Sequence, residues 1–219
     1  MLTVCHLSTS RSERIVWLLE ELGLDYRLEW FQRESTGAAP ASLREIHALG
    51  KAPVIRDGDL TLAESGAIVQ YVVERHGGGR LGMPVSDPRF AGYVYWMHFA
   101  EGSLMSLMLI ALVLSRVPEA KESPVRARIL DRLTKMLAFV DGKLAGHEWF
   151  AGDVFTAADI MMSFPLTTMG RYLAFDLSDN ANIRAWVARI EARPAYRKAM
   201  SIAGPDATSI PGLRGGHAQ

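Results

Sequence analysis

The chain has 219 residues, of which 49% are hydrophobic and 22% are charged, as in an ordinary globular protein with one large or two modest cores. Its 24 lysines and arginines balance its 24 aspartates and glutamates, so the charge does not indicate nucleic acid or an anionic membrane as a partner. The single cysteine, Cys5, excludes an intramolecular disulfide, and the first residues lack the basic start of a signal peptide. We therefore expect a cytoplasmic protein.

The first 76 residues carry alternating strand and helix patterns. The predicted elements, in order, are a strand at 2–7, a helix ending at Gly23, a strand at 26–31, a short helix at 40–47, a hairpin at 53–62 and a helix ending at His76. The Asp57–Gly58 pair indicates the hairpin, because a tight turn needs residues that accept positive φ. The order βαβαββα predicts a small α/β layer sandwich over residues 1–78.

Two serines are predicted to cap helices in this half of the chain. Ser10 and Glu13 have the spacing of a capping box at the start of the first helix. Ser65 precedes the apolar helical run that begins at Ile68, so it is the predicted N-cap of the later helix. A proline-headed hairpin followed by a bare helix N-terminus indicates a site for an extended ligand with a carboxylate.

From residue 79 onward, no strand pattern competes with helix. A turn-rich linker is predicted at 79–88, an all-α helical bundle domain at 89–204, and a flexible tail at 205–219, where proline and glycine are frequent. The most apolar segment, 104–114, is about half as long as a membrane-spanning helix must be, so no membrane partner is expected.

Several familiar catalytic patterns are absent from the sequence. The six histidines have no partner at metal-ligand spacing, so no metal site is expected, and His6 is interpreted as a structural residue of the first strand. Cys5 lies inside that same strand, where burial would make its thiol inert, and no second cysteine forms a dithiol motif. The sequence also lacks the Gly-x-Ser-x-Gly motif and the glycine-rich phosphate fingerprints.

Three groups of motifs occur in an order that is typical of one family. They are HLSTSRSER at 6–14 before a leucine-rich helix, GKAPV at 50–54 with LAESGAI at 62–68, and FAG at 150–152 with TAAD at 156–159. With these motifs the chain resembles the serine-type cytosolic glutathione S-transferases over nearly its whole length. The resemblance implies a thioredoxin-like N-terminal domain and an all-α C-terminal domain, in which Thr156 and Asp159 form a structural capping box.

The resemblance also implies a serine, placed before the first helix, that donates a hydrogen bond to the glutathione sulfur. The matching residue is Ser10, four positions before Arg14. A free thiol has a pKa of about 8.5, which a charge-assisted hydrogen bond and a helix N-terminus would lower. Ser12 is the rival hydroxyl and Arg11 would add positive potential. The structural alternative is that Ser10 is only a helix cap.

The second motif group is implied to bind the rest of the glutathione molecule. Pro53 would form a cis peptide bond, so that the Ala52 N–H and carbonyl pair with the cysteinyl unit like an added strand. Lys51 would approach the glycyl carboxylate, Glu64 the γ-glutamyl ammonium and Ser65 the γ-glutamyl carboxylate. The structural alternative leaves Glu64 and Ser65 as ordinary residues of a helix start.

Further positions complete the expected site. Arg33 is the basic residue available for a carboxylate in the loop after the second strand. On the long helix of the second domain, Phe99, Met105 and Met108 are candidates for an open hydrophobic pocket, with core packing as the alternative. Glu101 is a candidate contact to the glutathione of a partner subunit, with a solvated surface charge as the alternative.

The expected function is that of a homodimeric glutathione S-transferase, with glutathione as co-substrate and a hydrophobic electrophile as the second substrate. The same activated thiol would support glutathione peroxidase activity. Two alternatives stay open. One is a non-enzymatic binding protein of the same fold, and the other is a glutathione-dependent thiol reductase, which would need a cysteine in the loop at 8–12.

Overall fold

The computed structural model describes residues 1–208 and the backbone of residues 214–215. The chain divides into two compact units, and each is described by itself. Unit 1 comprises Met1–Gly82 together with the chain from Glu191 onward, and unit 2 comprises Met83–Ile190. The predicted helical domain at 89–204 is therefore corrected at its end, because the segment from Glu191 belongs to the first unit.

The elements of the described residues are as follows. The strands are β1 (Leu2–Leu7), β2 (Tyr26–Phe31), β3 (Val54–Asp57), β4 (Leu60–Ala63) and β5 (Arg214–Gly215). The helices are α1 (Glu13–Leu22), α2 (Leu43–Ile46), α3 (Ser65–Arg75), α4 (Phe90–Phe99), α5 (Ser106–Ser115), α6 (Pro124–Leu144), α7 (Ala157–Leu166), α8 (Thr168–Leu173), α9 (Ala181–Glu191) and α10 (Pro194–Ala203). A π-helical turn, Ala100–Met105, joins α4 to α5, and a short 3₁₀ helix spans Pro118–Ala120.

The sheet of unit 1 has the strand order β4-β3-β1-β2-β5. β1 and β2 are parallel and joined by α1, and β3 is antiparallel to both β1 and β4. The first four strands and α1 to α3 confirm the predicted order βαβαββα. The tight turn between β3 and β4 contains Gly58 at φ 57°, a conformation that glycine adopts without cost.

β5 departs from the predicted flexible tail. Tyr26 of β2 pairs with Gly215 and Arg27 pairs with Arg214, in antiparallel orientation. Two residues of the tail therefore extend the sheet beyond β2. The remaining tail positions, 209–213 and 216–219, lie outside the described residues.

Helix α10 packs on α1, which explains why the end of the chain belongs to unit 1. The rings of Trp17 and Tyr196 meet edge to face with centroids 4.9 Å apart. The Arg193 guanidinium donates to both carboxylate oxygens of Glu21, at 2.6 and 2.7 Å. Because α1 is buried along nearly its whole length, covering it with α10 removes apolar surface from water.

Apart from an isolated bridge between Trp149 and Gly152, the described elements of unit 2 are helices, and a continuous helix at 90–115 is the longest of them. By length and composition alone this helix could cross a membrane, with a mean hydropathy of 1.7 in its most apolar window. The sequence expectation that the apolar segment is too short is therefore corrected. Buried core helices of soluble proteins meet the same criterion, so the finding by itself is weak support for a membrane partner.

A capping box begins α7, as predicted. The Thr156 hydroxyl accepts a hydrogen bond from the Ala158 N–H at 3.3 Å, while the Asp159 carboxylate accepts one from the Thr156 N–H at 3.0 Å. Asp159 is fully buried and also accepts from the Phe150 N–H and from the indole N–H of Trp186. The buried Asp159 carboxylate at this helix start is thus matched to several donors.

Candidate functional site

The loop between β1 and α1 is held by Arg33, which follows β2. Its guanidinium donates to the carbonyl oxygens of Ser8, Thr9 and Gly37, at 3.0, 3.1 and 2.8 Å. Thr9 has φ 49°, an unfavourable conformation for a β-branched residue. These three bonds use three of the five N–H donors of the guanidinium, so binding of a ligand carboxylate by Arg33 stays a prediction. We assign Arg33 to holding this loop.

Within the loop, the hydroxyl oxygens of Ser10 and Ser12 lie 2.7 Å apart. Ser12 Oγ also lies 2.8 Å from His6 Nδ1 and accepts a hydrogen bond from the Leu7 N–H at 3.2 Å. Ser10 Oγ accepts one from the Ser12 N–H at 3.3 Å. Ser12 has no exposed surface and Ser10 is 6% exposed, so Ser10 is the outer hydroxyl of the pair.

Neither predicted serine cap is found. Helix α1 begins at Glu13 with Ser12 at the N-cap, so the predicted capping box of Ser10 and Glu13 is wrong; the Ser10 hydroxyl bonds to Ser12 instead. Helix α3 begins at Ser65 itself, and the N-cap is Glu64 at φ 72°. Neither N-cap side chain bonds its helix in the described structure. At α1 the Glu13 and Arg14 N–H groups donate to the backbone carbonyls of Ser10 and Arg11, whereas no capping side chain occupies the first N–H groups of α3.

Arg14 connects the starts of these two helices. Its Nη2 donates to Ser65 Oγ at 3.1 Å. Both side chains are buried, with Arg14 at 0% exposure and Ser65 at 4%. An arginine buried inside the fold fixes Ser65 and adds positive charge near both N-termini, which favours anionic groups there.

Ala52 and Pro53 lie at the end of β1 that leads into the Ser10 loop. Their place follows from the strand register, since Val54 of β3 pairs with Cys5 of β1 in antiparallel orientation. The Ala52–Pro53 peptide bond is cis, as the resemblance implied. Pro53 is buried and Ala52 is half-buried, which leaves the Ala52 backbone at the rim of the sheet.

Two charged residues flank this rim. Lys51 and Glu64 are both exposed, and neither has a hydrogen bond or ion pair from its side chain within residues 1–208. Their opposite charges suit a ligand that carries a carboxylate at one end and an ammonium at the other. Arg11, which directly precedes Ser12 in the loop before α1, is half-buried.

Titration of the buried groups argues against thiol chemistry by the protein itself. Burial raises the pKa of the Cys5 thiol to about 11, and the neighbouring Glu29 adds to the effect. Burial lowers the pKa of His6 to about 3, so the imidazole is neutral at physiological pH. Within the described part of the chain, no cluster of three or more metal-ligating side chains is present.

The predicted pocket residues of the long helix are buried. Met105 and Met108 are 1% and 0% exposed, and Phe99 is 9% exposed with its ring stacked on Tyr95 at 5.5 Å. The structure favours core packing, the stated alternative, over an open pocket for these three side chains. Glu101 is half-buried on the π-helical turn, and nothing in unit 2 assigns it a ligand.

The chain matches the glutathione S-transferase N-terminal domain family over residues 2–74 and the glutathione S-transferase C-terminal domain family over residues 104–194. The chain belongs to the cytosolic glutathione S-transferase family. The order of its elements and the position of its cis-proline agree with that assignment.

Similar proteins cover most of this glutathione S-transferase chain. Glutathione S-transferase 3 of Schizosaccharomyces pombe is 34% identical over 90% of this chain and 86% of its own. A solved glutathione S-transferase from Actinobacillus pleuropneumoniae is 38% identical, with a TM-score of 0.85 over 94% of this chain and 95% of its own. A glutathione transferase family member from Pseudomonas fluorescens, solved with two glutathione bound, shares the fold at 20% identity and a TM-score of 0.76, over 91% and 92% of the chains.

Sequence reasoning missed the roles of two residues in this family member. His6 was interpreted as structural, yet it bonds to Ser12 beside the candidate hydroxyl. Arg33 was named as a candidate for a ligand carboxylate, and its bonds to the loop that carries Ser10 were not foreseen. A usable signal for His6 was its position as the one polar residue in the second half of β1, directly before the serine loop.

Proposed function

We propose that the chain is a glutathione S-transferase in which Ser10 donates a hydrogen bond to the glutathione sulfur and stabilises its thiolate. The observation that carries this proposal is the placement of Ser10 Oγ at the start of α1, one hydrogen bond outward from Ser12. Ser12 is fully buried and its Oγ has four polar neighbours within 3.3 Å. Ser10 is therefore favoured over Ser12 as the donor to sulfur.

Glutathione would lie across the end of the sheet in unit 1. The Ala52 N–H and carbonyl pair with the cysteinyl unit as a strand edge does, and Lys51 attracts the glycyl carboxylate. The γ-glutamyl carboxylate binds Ser65 and the uncapped N-terminus of α3, while Glu64 takes the ammonium. The support is that Arg14 fixes Ser65 from behind, which orients its hydroxyl before the ligand arrives.

The chemistry follows from a sulfur that is ionised near neutral pH. Lowering the thiol pKa from about 8.5 by about two units corresponds to about 2.7 kcal/mol, within reach of a charged hydrogen bond and a helix N-terminus. The thiol proton goes to solvent, and the thiolate attacks an electrophilic carbon. A carbon–sulfur bond forms and the leaving group departs with its electron pair.

Peroxidase activity would use the same thiolate. It attacks an oxygen of an organic hydroperoxide, the oxygen–oxygen bond breaks, and the alcohol leaves. A second glutathione then displaces water from the oxidised sulfur, so that two thiols become one disulfide. No protein cysteine takes part, which suits a chain whose Cys5 is buried with a raised pKa.

The test is a titration of the bound glutathione thiol, followed by thiolate ultraviolet absorbance, in the wild type and in Ser10→Ala. We expect the Ser10→Ala variant to raise the bound-thiol pKa so that the thiolate fraction at pH 6.5 falls roughly tenfold or more. Ser163→Ala is the matched control, because it removes another buried serine hydroxyl, in unit 2. An unchanged thiol pKa in Ser10→Ala would contradict the assignment and point to Ser12.

The homodimer is part of the proposal. Its support is an apolar exposed face on α5, where Leu109, Ile110 and Val113 are 40%, 48% and 60% exposed. Sedimentation should show a dimer at micromolar concentration, and Val113→Glu should shift it toward the monomer. A wild-type monomer would contradict this part alone. We also propose a cytoplasmic location, where glutathione is abundant in its reduced form.

The alternative functions are separated by the same titration. A non-enzymatic binding protein would hold glutathione with an unshifted thiol pKa and no turnover of an electrophile. A thiol reductase would need an accessible low-pKa cysteine, whereas Cys5 is fully buried and the loop at 8–12 carries serine and threonine instead.

A further inference from the structure

A buried row of polar groups leads from β1 to the hydroxyl that we propose faces sulfur. It runs from His6 Nδ1 to Ser12 Oγ, 2.8 Å, and from there to Ser10 Oγ, 2.7 Å. His6 and Ser12 have no exposed surface. His6 Nε2 has no hydrogen-bond partner within the described residues, so Ser12 is the imidazole's polar contact there.

The number of hydrogens limits how this row can be arranged. A hydroxyl donates one hydrogen bond and accepts two. Ser12 Oγ accepts one from the Leu7 N–H. One acceptor site and one proton remain for its two closest neighbours, His6 Nδ1 and Ser10 Oγ, because the Leu7 carbonyl is farther away at 3.3 Å. The row must therefore point in one direction or in the other.

If His6 carries its proton on Nε2, the row points inward. Nδ1 then accepts a hydrogen bond from the Ser12 hydroxyl, and Ser12 Oγ accepts one from the Ser10 hydroxyl. In that arrangement the Ser10 proton is engaged with Ser12, and Ser10 offers a bound sulfur only an oxygen lone pair. A thiolate would be repelled by such a lone pair.

If His6 carries its proton on Nδ1, the row points outward. The imidazole donates to Ser12, and Ser12 donates to Ser10. Ser10 Oγ then accepts from both the Ser12 hydroxyl and the Ser12 N–H, which fills its two lone pairs. Its own proton is the one hydrogen-bonding element left, and it can be given only to an acceptor outside the row.

We propose that His6, as the neutral Nδ1–H tautomer, is a positioning residue that acts through Ser12 to aim the Ser10 proton at the glutathione sulfur. The inference rests on the proposed function, since it needs a thiolate beside Ser10. A bound thiolate selects the outward arrangement, because only that arrangement supplies it with a charge-assisted hydrogen bond. Cooperative polarisation along the row strengthens the terminal bond.

The surroundings of His6 suit this role. Burial lowers its pKa to about 3, so the ring stays neutral and can exchange one tautomer for the other without gaining charge. The Trp30 ring packs edge-on against it with centroids 4.4 Å apart, which holds the imidazole plane in place. A fixed neutral ring is what an oriented row of hydrogen bonds requires.

Nitrogen chemical shifts of the histidine side chains test the tautomer directly in the wild-type protein. Two-bond ¹H–¹⁵N spectra distinguish Nδ1–H from Nε2–H, and the His6 signals are assigned by their loss in His6→Phe. With glutathione bound at pH 7.5, where the thiolate dominates, we expect His6 to be the Nδ1–H tautomer. An Nε2–H tautomer under those conditions would overturn the proposal.

Two substitutions separate positioning from packing. His6→Phe preserves ring volume and removes Nδ1, while His6→Asn is smaller but can place an amide N–H near the Nδ1 position. A positioning role predicts that His6→Phe lowers the bound thiolate fraction at pH 6.5 by roughly tenfold and that His6→Asn restores part of it. A purely structural role predicts the reverse order, because His6→Asn leaves the larger cavity.

The affinity for glutathione at pH 5, where the thiol is protonated, should change less than twofold in His6→Phe. Ser12→Ala breaks the row at its middle and should reproduce the effect on the thiolate if either His6 variant fails to fold; a wild-type thiol pKa in Ser12→Ala would overturn the proposal. If Ser10→Ala also leaves the thiol pKa unchanged, the proposed function fails. If Ser10→Ala raises it and His6→Phe does not, only the role of His6 is refuted.

Discussion

Two helix starts, those of α7 and α1, place buried hydroxyls beside backbone N–H groups and use them differently. At α7, Thr156 accepts from the Ala158 N–H, and Asp159 bonds back to the Thr156 N–H. At α1, the Ser12 side chain makes no bond to its helix and bonds to Ser10 and His6 instead. The first start is capped by side chains, whereas at the second the Glu13 and Arg14 N–H groups donate to the backbone carbonyls of Ser10 and Arg11.

The backbone shows the same contrast. Thr156 has an extended conformation, φ −137° and ψ 175°, which any residue adopts without strain. The loop before α1 contains Thr9 at φ 49°, held by Arg33. The start of α7 is capped by its own side chains at low cost, whereas the loop before α1 keeps its serine hydroxyls for one another and depends on Arg33 for its shape.

Removing Asp159 should have the largest effect on stability. Asp159→Ala leaves the buried N–H groups of Phe150, Thr156 and Trp186 without their acceptor, so we expect a loss of about 3–5 kcal/mol in the free energy of unfolding. Urea denaturation measures it. Asp131→Ala is the control, because that exposed aspartate pairs with Lys135 on the surface and should cost less than about 0.5 kcal/mol. If Asp159→Ala and Asp131→Ala lost the same free energy of unfolding, the capping at α7 would have no special role in stability.

The titration of Asp159 should come next in size. Burial raises its pKa from 3.8 to about 6, so between about pH 4 and pH 6 the folded protein holds a proton that the unfolded chain has lost. The wild-type free energy of unfolding should therefore fall by about 2–3 kcal/mol as pH rises through this window, relative to Asp159→Asn. Denaturation of both proteins at several pH values measures the difference in their free energies of unfolding. The contributions of all other titrating groups cancel in that difference. A constant difference would show that folding does not raise the pKa of Asp159.

At the other helix start, Arg33→Ala should reduce activity more than stability. The loss of three hydrogen bonds to carbonyl groups loosens the loop that positions Ser10, so we expect kcat/KM to fall roughly tenfold. Arg128→Ala, on the exposed side of α6, is the control and should leave kcat/KM unchanged. Normal turnover in Arg33→Ala would show that the loop holds its shape without the arginine.

The smallest effect concerns the strained residue itself. Thr9→Gly relieves an unfavourable φ and should raise the free energy of unfolding by about 0.5 kcal/mol, while kcat falls because the loop gains freedom. Ala174→Gly is a close match, since Ala174 has the same φ of 49° at the end of α8 in unit 2. It should stabilise by a similar amount without a change in kcat. A parallel fall in both variants would disconnect the Thr9 conformation from function.

Sequence patterns predicted most of the fold because they report local preferences. The Asp57–Gly58 turn, the parallel strands around α1 and the capping box of Thr156 and Asp159 all depend on residues close together in the chain. The assignment of α10 to unit 1 and the pairing of β5 with β2 could not be predicted in this way. They depend on contacts between segments far apart in sequence, such as Trp17 with Tyr196.

For the candidate site as well, local motifs predicted some features and failed for those that depend on the choice of hydrogen-bond partner. The motifs predicted the cis-proline, and they named Ser10, Lys51, Glu64 and Ser65, whose roles remain proposals. The two serine caps were wrong, because a hydroxyl near a helix start has several partners within reach and local spacing does not choose among them.

By itself, the sequence determined the order of the elements, the hairpin with its proline, and the residues available for binding glutathione. Only the tertiary structure decided how the polar groups are paired. In that structure Arg33 bonds to the loop carbonyls, Arg14 bonds to Ser65, and His6 bonds to Ser12. The physical reason is that a buried polar group takes its partner from whatever side chain or backbone the fold brings within about 3 Å, which spacing along one element does not specify.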